Sequence, residues 1–150
     1  MFGIPGETLN DAFKTVELNI KIKTDYPWSA LFQPFFGTEL ADYVREQGLL
    51  EGDDFCFAPS FFMKSHIKLK EREEIEKLHK IFFFAVKFPI LFPLIKYIIR
   101  KKIILPYNLL FLLGYLFSYK YSERISWLEA FRIGINNARN FFLAGIIKDN

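Results

Sequence analysis

Cysteine is nearly absent from this chain: one residue in 150, Cys56, set between Phe55 and Phe57. A lone thiol excludes an internal disulfide and any cysteine-only metal site, and its apolar neighbours suit a small buried hydrophobe. Histidine is almost as scarce. His66 and His79 have no partner at metal-ligand spacing, and no Ser/His/Asp or Cys/His set is readable. Neither a catalytic residue nor a metal ligand is therefore assigned. Long apolar runs are missing too. A spanning helix needs about 20 uninterrupted apolar residues, but Lys87, Pro89, Pro93 and Lys96 break the Phe-rich stretch after Ile81, and Leu105–Phe117 is too short. The opening MFGIPGETLNDAF has neither a basic n-region nor an apolar h-region, so it does not read as a secretory signal. A reducing, cytoplasmic setting is the expectation, with membrane association as a variant of it. The net charge of +3 comes without a dense basic stripe among aromatics, which argues against nucleic acid as a partner.

What the chain does have is phenylalanine, 19 of them, within 51% hydrophobic and 25% charged residues. That balance excludes a disordered chain. Residues 1–60 mix turns, short apolar segments and acidic helices. Residues 61–150 are basic, rich in Phe, Ile and Leu, and read as all helix. There is no internal repeat and no low-complexity tract.

Met1–Gly3 reads as the end of a buried strand, and Ile4-Pro5-Gly6 as a loop. Thr8 is a helix N-cap with Asp11 three residues on, as in a capping box. Leu9, Ala12, Phe13, Val16 and Ile20 form a helical stripe that ends near Lys23. Asp25-Tyr26-Pro27 breaks it, and Trp28–Gln33 reads as a second strand. Pro34 and Gly37 bracket a turn, Thr38 caps a short helix, and Gly48 is placed to end it. Strand, helix and strand with short connections predict parallel pairing and a right-handed crossover. Glu51–Asp54 is a polar turn, and Phe55–Phe62, broken by Pro59, has no clear assignment. Lys68–Phe88 has helical spacing at Ile75, Leu78, Phe82 and Ala85, with Glu71, Glu73 and Glu74 in its first turns. Pro89 and Pro93 bend or end it. Leu94–Lys102 makes a short helix. Pro106 suits position N1 of the next, which runs to about Tyr119. Ser126 and Glu129 form a capping box for a last helix from Trp127 to about Leu143.

A Gly-x-Pro-Gly turn at the carboxyl end of a barrel strand lets backbone approach a ligand. Glu7 and the N–H groups of the following helix then meet a ribose or an amine. Taken alone, the turn fits plain turn chemistry equally well. The two strings MFGIPGET and QPFFGTEL, with a helix between them and Gly48-Leu49-Leu50 after, resemble the C-terminal part of the radical S-adenosylmethionine core. The branch that carries a cobalamin-binding domain has similar strings, G-[LI]-P-G-E-T and P-Y-P-G-T-E-L. The likeness covers residues 1–52 in detail. LHKIFFFAVKFPILFPLIKYII and SWLEAFRIGINNARNF are more loosely similar to the helical tail of that branch.

On this resemblance Gly3, Pro5, Gly6 and Glu7, with Thr8, fall on the segment bordering the S-adenosylmethionine pocket. Pro34, Gly37, Thr38, Glu39 and Leu40 fall on the turn after the last strand, and Phe36 stands where the family commonly has proline. The family's four-iron cluster needs Cys-x-x-x-Cys-x-x-Cys, which this chain lacks, and Cys56 does not fall on that motif. The resemblance implies an α/β fold, the last βα units of a partial TIM-like barrel (residues 1–60), followed by an all-helical tail (61–150). It implies a C-terminal fragment of a radical S-adenosylmethionine enzyme, inactive by itself. Such a fragment lends pocket wall to S-adenosylmethionine, a 4Fe-4S cluster and cobalamin held by an upstream barrel and cobalamin domain, missing or on a separate chain. The substrate would be a small or lipid-like molecule.

The Phe-rich helices have two readings. Lys96, Arg100, Lys101 and Lys102 beside apolar faces suit a helix lying on an anionic membrane surface. Alternatively, and preferably, these helices cover the barrel and the missing domains. The rival function, from a different class, is a non-enzymatic membrane-peripheral or scaffold protein.

Overall fold

The computed structural model describes residues 1–51, 64–101, 103 and 105–146, with side chains through Asn136. Cys56, the run Phe55–Phe62, Lys102 and most of the Glu51–Asp54 turn lie outside the described residues.

The chain is helical. Its elements are α1 (Leu9–Lys21), α2 (Glu39–Glu46), α3 (Arg72–Lys80), α4 (Phe82–Lys87), a 3-10 turn (Pro89–Leu91), α5 (Phe92–Arg100), α6 (Tyr107–Ser122) and α7 (Trp127–Ile146). The α/β partial barrel expected from the sequence does not form. Among the described residues there is no sheet, only two isolated bridges, Phe2 with Leu31 (parallel) and Leu50 with Ile67 (antiparallel). The local chemistry explains why. Gly3 turns the backbone out of pairing with φ +78° directly after the bridge, and Pro5 then brings no N–H to a ladder. Pro27 and Pro34 bracket the second segment, so only Leu31 pairs there. What remains of pairing is Phe2 N–H to Ala30 C=O at 2.9 Å and Phe32 N–H to Phe2 C=O at 2.7 Å.

The apolar residues go into helix packing instead. Leu9, Ala12, Phe13 and Val16 of α1 share one core with Phe2, Ile75, Leu78, Phe82, Ala85, Ile95 and Ile99. Burying a large apolar side chain is worth about 1.5–3 kcal/mol, so this cluster dominates the fold. A smaller core joins Phe32, Val44 and Ile67. The single helix expected over Lys68–Phe88 is two. It starts at Arg72 and breaks at Ile81, whose φ of −107° and ψ of 11° leave the helical region. A second break comes at Pro89. Pro106 serves as the N-cap of α6 rather than N1, and that helix runs on to Ser122. Ser126 N–H and Oγ both donate to Glu129 Oε2 at the start of α7.

Candidate cofactor-facing loop

The loop between the Phe2 bridge and α1 is built from its glycines. Gly3 and Gly6 have φ of +78° and +82°, a region that costs other residues about 1–2 kcal/mol. Ile4, Pro5, Gly6 and Glu7 make a turn closed by Glu7 N–H to Ile4 C=O at 2.9 Å. Pro at the second position and a positive-φ Gly at the third is the type II pattern. Gly3 is buried beneath the segment at 65–69. A Cβ there would stand 3.5 Å from Ser65 Oγ. Gly6 differs, since nothing lies within 4 Å of where its Cβ would be, so the outer rim of the loop is open.

Glu7 turns back on the loop. Its Oε2 accepts the N–H of Gly3 and, at 3.2 Å, that of Ile4. Burial raises the Glu7 carboxyl above its ordinary range, while the two backbone hydrogen bonds pull it the other way. Thr8 then caps α1: Asp11 N–H donates to Thr8 Oγ1 at 3.2 Å, and Thr8 Oγ1 donates to Asp11 Oδ2 at 2.6 Å. The Thr8 hydroxyl and the Lys14 ammonium hold the Asp11 carboxyl down at about 2. The Leu9 N–H, at the start of α1, donates to Glu71 Oε2 at 2.9 Å. The helix terminus that the sequence left open to a ligand is thus met by a carboxylate from elsewhere in the chain, a favourable place for negative charge.

The second turn follows Leu31. Gly37 has φ +81°, Thr38 N–H donates to Phe35 C=O at 3.2 Å, and Thr38 Oγ1 donates to the same carbonyl at 2.8 Å. Phe36 is 73% exposed. Because Phe2 and Leu31 pair in parallel, both loops leave from the same end of the pair. Gln33, buried between them in sequence, donates from Nε2 to Lys64 C=O at 3.1 Å.

No family model, curated protein or solved structure matches this chain.

Glu71 and Ser65 are the residues that sequence reading missed at this loop. Each acts across about 60 positions, and no local spacing signals such a contact. The other polar pair of the interior is Ser29 Oγ and His79 Nδ1, 2.8 Å apart. Both are buried, with Phe2 and Phe111 against the ring, so the pair is packed rather than presented to a substrate. Among the described residues no group of His, Cys, Asp and Glu could hold a metal ion. No helix among them is long and apolar enough to cross a membrane.

Proposed function

We propose that residues 1–51 line the S-adenosylmethionine pocket of a radical S-adenosylmethionine enzyme of the cobalamin-associated branch. The observation that supports this reading is the Gly3–Glu7 loop. Two positive-φ glycines and a half-buried carboxylate fix its backbone, and the open rim at Gly6 leaves room for a ligand to come close. The chain's own residues supply shape. Gly6 allows approach, Glu7 holds the loop closed, and the Gly37 turn stands at the same end of the bridged pair. In such enzymes the bound cofactor, reduced by its cluster, supplies a 5′-deoxyadenosyl radical that takes hydrogen from substrate. One cysteine does not fit a four-iron cluster, which needs three thiolates. The cluster and any cobalamin belong, on this reading, to an upstream segment or partner chain.

The test starts in the genome. A frame or adjacent gene carrying Cys-x-x-x-Cys-x-x-Cys directly upstream supports the proposal. The two pieces, produced together, are then titrated with S-adenosylmethionine. Gly6→Val should abolish cofactor cleavage while the cluster stays intact, since strain of this kind costs on the order of 1–3 kcal/mol and the side chain fills the open rim. Cleavage at the wild-type rate in Gly6→Val, or an unrelated upstream neighbour, removes the reading.

A further inference from the structure

The 3-10 turn and α5 carry apolar residues on both sides. Phe92, Ile95 and Ile99 face the core. On the other side Ile90, Leu94 and Tyr97 recur at intervals of four and three, which places them on one face, with Leu91 beside them; all four are exposed, Ile90 at 88%. Lys87 precedes this stripe and Lys101 follows it, both exposed, the latter with its ammonium 6.0 Å from the Tyr97 ring centre. An exposed apolar patch of this kind marks an interaction surface.

Charge identifies the occupant. From Lys80 to Ser122 the sequence has seven basic residues and no acidic one, although the whole chain carries 17 carboxylates. The Glu17 carboxylate of α1 reaches α5 but is paired with Lys96, which is half-buried. Arg100 donates to Asn10 Oδ1 at 2.7 Å, an uncharged partner. A protein surface would have to match apolar side chains at close range. A bilayer interface needs only an apolar face flanked by cations, and anionic lipid strengthens it. An amphipathic element lying in the plane does not have to span.

We propose that the Ile90–Tyr97 stripe docks shallowly on an anionic lipid bilayer, with Lys87 and Lys101 at the headgroups. This surface shares no residue with the Gly3–Glu7 loop, and the proposal holds whether or not that loop binds cofactor.

The test is co-sedimentation of the full chain with vesicles of phosphatidylcholine alone or mixed with phosphatidylglycerol. The chain should pellet with the mixed vesicles and be released by added salt. Lys87→Gln with Lys101→Gln should lower the partition coefficient about thirtyfold, roughly fivefold for each surface cation. Ile90→Asp with Leu94→Asp should abolish binding. Both positions are exposed, and circular dichroism checks that the variant folds. If it does not, the lysine pair alone decides. Equal binding to neutral and anionic vesicles overturns the proposal, as does undiminished binding of the lysine variant. So does a chain that stays in the supernatant but self-associates through the stripe, shown by sedimentation velocity and lost in Ile90→Asp.

Discussion

The N–H of Leu9 donates to the Glu71 carboxylate at 2.9 Å, a contact between residues 62 positions apart. It sets the first turn of α1 against the start of α3, and both helices bury their apolar faces in the same core. Removing the acceptor should loosen that joint. Glu71→Ala is expected to cost about 0.5–2 kcal/mol, the range for a lost helix cap, while Glu71→Gln retains an acceptor and costs less. Urea denaturation followed by circular dichroism measures both.

Glu7 separates shape from charge. Glu7→Ala leaves the buried Gly3 N–H without its partner and should cost about 1–3 kcal/mol. Glu7→Gln retains the acceptor and should stay close to wild type. The two also differ with pH. The Glu7 carboxyl lies above its ordinary value of 4.5 in the folded chain because burial disfavours its charge. Its contribution to stability is therefore fully present below 4.5 and is lost as pH rises through the higher folded value. Wild type should show this decline and Glu7→Gln should not. Parallel slopes in the two proteins would show that Glu7 is not the titrating group.

Asp11 runs the opposite way. Its carboxyl drops from 3.8 to about 2 on folding, so its contribution is present above 3.8 and disappears as pH falls toward 2. Asp11→Asn should flatten that acid limb and lower the wild-type Tm near neutral pH. Thr8→Ala removes the other half of the cap and should cost about 1 kcal/mol. Thermal melts over the acid range decide.

The Ser29–His79 contact predicts a structural rather than a chemical phenotype. Ser29→Ala takes away the buried partner of a ring nitrogen and should cost about 1–3 kcal/mol. Neither Ser29 nor His79 should be labelled by a serine-directed phosphonate in the folded chain. Rapid labelling at Ser29 would mean that the pair is reachable from solvent and reactive.

Local chemistry was legible in the sequence, and pairing was not. Thr8, Thr38 and Ser126 all cap the helices their neighbours indicated, because a cap is settled within four residues. The α1 stripe at Leu9, Ala12, Phe13 and Val16 is buried as its period required. The sheet failed because a strand becomes one only through its neighbours. Met1–Gly3 and Trp28–Gln33 meet at a single residue each, and Gly3, Pro27 and Pro34 were as visible in the sequence as the apolar residues between them. The break at Ile81 was hidden by continuous apolar spacing across two helices. At the candidate loop, the glycine turn could be read from Pro5 and Gly6, whereas the inward aim of the Glu7 carboxylate and the arrival of Glu71 depended on tertiary packing.

The cover over Gly3 has a consequence for the order in which the chain is made. Phe2, the turn and the α1 cap emerge before Ser65 and Glu71, which leave the ribosome about 60 residues later. Until then the start of α1 lacks its long-range carboxylate, and Gly3 lacks the side chains that pack on it. Closing a loop of that length carries an entropy cost that the core must first offset. The Gly3–Glu7 loop would thus reach its final shape only after α3 has docked on α1.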